Sequence, residues 1–411
     1  MNIKIIPTSE EKILEYYNSD AISQGNLKYF QDLENIVKYA EEISKGNKIE
    51  EDSLYYTEKK SMIFGQAVDT LVTLGETAFN NNFLVSDITF PGDKILSICH
   101  IVYDTIKLNN MEIFSELGMY PDILEKAILK ENYYGNRKMD TNIKNVIAEG
   151  GEYFNQLVQS ANKQIITTEE AKRVYACSES IKATLEEHIL NKFTLPDYPI
   201  YIFTQVPLYW QNRKGLLDFL ICYPVQILKD SSNINGFIVG YAMQILDLKA
   251  TGAFPSLFTQ FIKQRRLDIQ LSWYNQILIN LNGEENNRFL LNLPEENFNI
   301  HFVQIMNPAL ITVNMNYPSL TNIYNFNDSL LEFGTYGLQN DFSVVSFCQE
   351  DMSTNKVIPL KSFLGFTELL DRYSYFQSLI EQNLSFEEII QSFNRYLGSV
   401  RGISNKIFHK I

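Results

Sequence analysis

In QILDLKATG, residues 244–252, a carboxylate and an ammonium stand two positions apart as Asp247 and Lys249. The neighbours are those of a buried strand, and alternate strand side chains share a face. The plain reading is an ion pair at a strand end. A chemical reading needs more carboxylates, and KGLLDFLICYP supplies Asp218 at the start of another apolar strand. If the turn SSNING (231–236) folds these two strands into a hairpin, Asp218 and Asp247 come together. Two adjacent carboxylates repel each other unless a cation bridges them. Mg²⁺ is the natural occupant, with Mn²⁺ as the alternative, since a hard ion takes carboxylate, water and phosphate oxygens. A nearby lysine can orient or deprotonate the attacking water. Together these parts suit metal-assisted phosphodiester hydrolysis, with Asp218 and Asp247 on the metal and Lys249 on the water.

The helix that follows adds a polar stripe. In RRLDIQLSWY, Arg266, Gln270 and Tyr274 recur at four-residue spacing and share a face. Such a stripe is costly in a core and useful along a phosphate channel. Leu271 and Trp273 read as core. The chain carries a net charge of −14, which argues against broad nonspecific nucleic-acid binding. Between Gln205 and Asn275, however, seven Lys/Arg face four Asp, so this window is locally basic. Lys214, Arg265 and Arg266 are its candidate DNA contacts.

The elements that must position these groups change along the chain. Residues 1–60 are acidic and read as helical, and SMIFGQAVDTLVTLGETAF (61–79) reads as a second helix carrying Asp69. Segment 93–160 is polar, with helical patches, and reads as an insertion. Thr167 and Glu170 have capping-box spacing at the head of another helix. Strand-like runs follow from YPIYIFTQVPLYW through GFIVGYAMQILDLKA, with NIHFVQIMNPALITVNM after a helix. The last 80 or so residues read as loops and amphipathic helices. Four scattered cysteines, Cys99, Cys177, Cys222 and Cys348, argue against a zinc knuckle or iron–sulfur cluster. No apolar run approaches a membrane span and the N-terminus lacks a signal-peptide pattern, so the expected location is the cytoplasm.

Asp, then Asp-x-Lys, then Gln-x-x-x-Tyr resembles the PD-(D/E)XK nuclease superfamily in its RecB-like, phage-exonuclease branch. AISQGNLKYF (21–30), FGQAVDTLV (64–72), NNNFLVSD (80–87) and Lys214, Gly215 and Asp218 of KGLLDFLI are similar to the RecE-like, exodeoxyribonuclease VIII-type pattern. The similarity runs from about residue 20 to about 280. Asp69 stands where that family usually has a metal-binding His, and Gln205 where relatives often carry Glu; Gln205 is given no catalytic role.

The resemblance implies an α/β, restriction-endonuclease-like core: a mixed central sheet flanked by helices, with a helical N-terminal region and insertion. The expected division is 1–92, 93–160, 161–300 for the catalytic core, and 301–411 as its C-terminal extension. Asp69 and the Leu248 carbonyl would join Asp218 and Asp247 on the metal, and Gln270 and Tyr274 would steady the site and the DNA strand. The implied activity is exonucleolytic hydrolysis at double-stranded DNA ends in phage- or prophage-type recombination. A single-strand annealing partner and a ring-shaped homo-oligomer are implied in the same way. A structure-specific or single-strand endonuclease of the same fold and a catalytically decayed structural or DNA-binding protein are the alternatives.

Overall fold

A computed structural model describes residues 3–31, 33–44, 60–133, 135, 137–160, 163–190, 195, 197–228, 237–282, 302–337, 348–351, 356–359, 364–382 and 384–400. The chain opens with a strand, β1 (Ile3–Pro7), where a helical start was expected. Helices α1 (Glu10–Asn18), α2 (Gln24–Lys28), α3 (Leu33–Ser44), α4 (Lys60–Thr73) and α5 (Gly75–Asn82) follow. Next come β2 (Phe83–Ser86), α6 (Asp93–Leu108), α7 (Pro121–Lys130), α8 (Met139–Gln159), β3 (Gln164–Thr167) and α9 (Thr168–Leu190). The capping box is formed at the start of α9: Thr167 N donates to Glu170 Oε2, and Glu170 N donates back to Thr167 Oγ1.

The central sheet is built mainly from three long strands, β4 (Ile200–Trp210), β5 (Arg213–Leu228) and β6 (Phe237–Thr251), paired antiparallel in sequence order. The SSNING turn between β5 and β6 lies outside the described residues. Helices α10 (Phe258–Arg265) and α11 (Leu267–Asn282) lead to β7 (Phe302–Ile305), β8 (Ala309–Asn314) and β9 (Thr321–Asn325). The strand order is β1-β4-β5-β6-β8-β9, with β7 also paired to β6. β1 lies parallel to β4, and β8 parallel to β6, so the sheet is mixed. It takes strands from near residue 3 and from beyond residue 300, so the boundary drawn at 300 cuts across one sheet. Finally α12 (Asp328–Tyr336), a β-hairpin of β10 (Cys348–Asp351) and β11 (Lys356–Pro359), α13 (Phe366–Glu381) and α14 (Phe386–Val400) complete the described chain.

Helices cover both faces of the sheet, which is why its central strands are apolar almost throughout. On one face Ala67, Val68 and Leu71 of α4 and Val174 and Ile181 of α9 pack on Phe219, Leu246 and Leu248. On the other, Leu271, Trp273 and Tyr274 of α11, with α2 and α13, pack on Leu217, Leu220 and Ile245. A third core joins α6, α7 and α8, from Ile95 to Ile165, beside a short parallel pair of β2 and β3. Among the described residues no helix is long and apolar enough to cross a membrane.

Candidate active site

Phe219 of β5 pairs with Leu246 of β6, so Asp218 and Asp247 are the next positions on the facing strands. Leu246 and Leu248 face α4, which leaves Asp247 and Lys249 together on the α11 side. There a cavity of about 430 Å³ opens, lined among others by Asp69, Asp218, Asp247, Lys249, Gln270 and Tyr274. Asp69 comes from α4 and Gln270 and Tyr274 from α11, so elements from both faces of the sheet converge on it.

Asp247 is 1% exposed, an expensive place for a carboxylate. Gln270 Nε2 donates to its Oδ1 at 3.0 Å and to Tyr274 Oη at 3.2 Å, so one amide steadies two neighbours. Lys249 Nζ lies 2.5 Å from Asp247 Oδ2 and donates to the Leu248 carbonyl at 3.2 Å. The ammonium therefore sits between two of the atoms expected to hold a metal. Asp218 Oδ2 accepts from Leu248 N at 2.6 Å, which fixes the carboxylate against the β6 backbone. Gly215 makes room for Tyr274: a Cβ there would meet the ring at 2.7 Å.

The carboxylates crowd one another. Burial drives the Asp69 carboxyl up to about 6, with Lys249 pulling down and Asp247 pushing up. Burial, then Asp69 and Asp247, raises Asp218 well above the usual carboxylate range. For Lys249, burial alone would favour the neutral amine, but Asp247, Asp218 and Asp69 together raise its pKa. Burial likewise raises the Tyr274 phenol well above its ordinary value. Three carboxylates thus act on one another and on Lys249, with Lys28 and Arg265 also in the cavity wall, and a bridging cation relieves such crowding.

The residues fit a hard divalent ion. The donors are oxygens throughout, and Asp69 Oδ1 is buried without a hydrogen-bond partner. Among the described residues no three His, Cys, Asp or Glu side chains form a ready-made metal cage. Mg²⁺ commonly completes its shell with water and phosphate oxygens rather than protein groups.

Of the three expected DNA contacts, only Arg265 faces the cavity, exposed and lying over the Phe261 ring. Lys214 is 7% exposed and its Nζ donates to the carbonyls of Tyr16 and Ser19, tying α1 to β5. Arg266 is equally buried, paired with Asp268 at 3.0 Å and donating to the Leu364 carbonyl at 2.7 Å. Its φ of 52° marks the junction between α10 and α11. As placed, both are structural cations rather than groups offered to a phosphate.

Gln205, given no role from sequence, is drawn into the site. Thr204 pairs with Phe219 and Val206 with Leu217, leaving Gln205 unpaired across from Asp218. Its φ is 51°, a left-handed conformation costly for a residue other than glycine. The side chain donates to Thr73 Oγ1 at 3.1 Å, and Thr73 Oγ1 donates to the Asp69 carbonyl at 2.8 Å. Gln205 therefore ties β4 to the helical turn that carries Asp69. Gln24 also lines the cavity, with its Oε1 buried and unpartnered. Its place in AISQGNLKYF was the one available signal.

No protein-family model matches the chain, and neither does any curated protein or solved structure.

Proposed function

We propose that the chain is a metal-dependent deoxyribonuclease of the PD-(D/E)XK type, hydrolysing DNA phosphodiesters from double-stranded ends. The observation that carries this reading is the convergence of Asp69, Asp218, Asp247 and Lys249 in one cavity, where the three carboxylates lie close enough to act on one another and on the ammonium. The order of elements around it, three antiparallel strands, a helix and a strand parallel to the third, supports a restriction-endonuclease-like core. The preference for ends, a single-strand annealing partner and a ring-shaped homo-oligomer rest on the sequence resemblance.

Asp218 and Asp247, the Leu248 carbonyl and Asp69 would hold Mg²⁺ or Mn²⁺. The ion would supply Lewis-acid stabilisation of charge growing on a phosphoryl oxygen. Freed from that carbonyl, Lys249 would keep its proton to orient a water and offset charge on the phosphate. Its raised pKa makes the ammonium the resting form and leaves removal of the water's proton to a neighbouring carboxylate or solvent. Gln270 would hold Asp247 in one rotamer, and Arg265 at the rim would meet the backbone of the incoming strand.

The test is digestion of linear and covalently closed duplex DNA, with Mg²⁺ or EDTA, by the wild type and Asp247→Ala. Loss of linear DNA alone, stopped by EDTA and by the substitution, is the expected result. Cutting of the closed circle would favour the endonuclease reading. An inert wild type with both Mg²⁺ and Mn²⁺ would remove the catalytic reading.

A further inference from the structure

Past Lys249, β6 runs on to Thr251, and residues 252–257 turn out before α10 begins. Asn314, at the end of β8, clamps this turn: its Nδ2 donates to the Ala253 carbonyl at 3.1 Å. Its Oδ1 accepts from the backbone of Asn316 and Tyr317 at 2.9 and 3.0 Å. One side chain thus fixes two loops, and each loop presents an aromatic ring to solvent. Phe254 is 47% exposed and Tyr317 55%, with centroids 5.6 Å apart and planes at 34°. Further rings connect this part of the fold to the cavity. Tyr324 stacks on Phe258 at 4.5 Å, Phe258 on Phe261 at 5.4 Å, and Phe261 lines the cavity.

A single exposed ring needs no explanation. Two rings held together by a buried amide, a few residues from a candidate hydrolytic lysine, are a different matter. Phe254 is five positions beyond Lys249, at most about 18 Å of chain. A stacked nucleotide advances about 3.4 Å along its strand, so the rings lie within reach of the first few nucleotides beyond the scissile phosphate. Every base has a π-face, and stacking on aromatic side chains is tolerant of sequence. Bases in a blunt duplex already stack on one another and gain little from such a surface.

We propose that Phe254 and Tyr317 form a stacking platform for unpaired bases of the strand entering the cavity, so that DNA ends with a single-stranded extension are preferred over blunt ends. This deepens the nuclease reading and rests on it for the identity of the ligand.

The experiment is an affinity measurement by fluorescence anisotropy, with Ca²⁺ replacing Mg²⁺ to limit turnover. The probes are a duplex with a short single-stranded extension, of either polarity, and a matched blunt duplex. For Phe254→Ala combined with Tyr317→Ala, affinity for the extended duplex is expected to fall at least about tenfold. Blunt-end affinity should change less than about twofold, and Phe254→Tyr with Tyr317→Phe should bind like the wild type. Metal-dependent hydrolysis of bis(p-nitrophenyl) phosphate, which has no base, should be unaffected by ring removal. Unchanged binding of the extended duplex by the alanine variant, equal losses on both probes, or a wild type that binds neither would overturn the platform. The two readings fail separately. Ring-dependent binding without metal-dependent hydrolysis would sink the nuclease alone, and hydrolysis with neutral ring removal would sink the platform alone.

Discussion

Two buried charge sites lie at opposite ends of the same short stretch of chain and obey different rules. At the α10–α11 junction, Arg266 meets Asp268 one to one, and its Nη2 also donates to the Leu364 carbonyl. In the cavity, Asp69, Asp218 and Asp247 gather round the ammonium of Lys249, and an oxygen of Asp69 has no hydrogen bond. The first site is balanced and closes the fold between α11 and the segment before α13. The second crowds three carboxylates together, and that crowding is what a metal would answer. Burial alone does not mark function; burial without compensation does.

The contrast breaks most visibly under substitution. Asp247→Ala and Lys249→Ala should each lower metal-dependent DNA hydrolysis about a thousandfold or more, roughly 4 kcal/mol of transition-state stabilisation. The folded state should persist in Asp247→Ala, which removes one of the crowded carboxylates, as circular dichroism and thermal melting would record. Arg266→Ala should do the reverse. It leaves Asp268 buried and unpaired, so stability to urea should fall by about 3 kcal/mol, with hydrolysis per folded molecule nearly intact. Comparable loss of activity from both sites would erase the distinction.

Asp69 sharpens it through pH. Its carboxyl titrates near 3.8 when unfolded and about 6 when folded, so the folded state holds the proton more tightly. The stability this confers is complete below about pH 4 and lost as pH rises through 6. In EDTA, Asp69→Asn should therefore be more stable than the wild type at pH 7, by on the order of 2 kcal/mol. The advantage should vanish below about pH 4. Adding Mg²⁺ should raise the melting temperature of the wild type and leave the variant nearly unmoved. A variant no more stable than the wild type in EDTA at pH 7 would count against the crowded-carboxylate account. The smallest effect is expected at Gly215→Ala, where the new Cβ must push the Tyr274 ring aside. A loss of about tenfold in kcat with little change in KM is expected, because the ring steadies Gln270 rather than binding DNA.

Much of the site was legible because it sits on regular elements. Strand alternation put Asp247 and Lys249 on one face, hairpin pairing brought Asp218 opposite, and helix spacing joined Gln270 to Tyr274. The capping pair Thr167 and Glu170 was equally readable. Less regular features escaped. Nothing local in YIFTQVPLYW announces that Gln205 adopts a left-handed conformation and reaches Thr73. Lys214 and Arg266 read as DNA contacts because the carbonyls that hold them, those of Tyr16, Ser19 and Leu364, lie nearly 200 and 98 residues away. The strand β1 was hidden in a short stretch whose only strand partner among the described residues is β4.

The most direct measurement is a calorimetric titration of the metal-free protein with Mn²⁺, for the wild type and Asp247→Asn. A saturable site with submillimolar affinity in the wild type, lost or weakened at least about tenfold in the variant, is what the account predicts. A wild type that takes up no Mn²⁺ at millimolar concentration, with or without DNA, would contradict it.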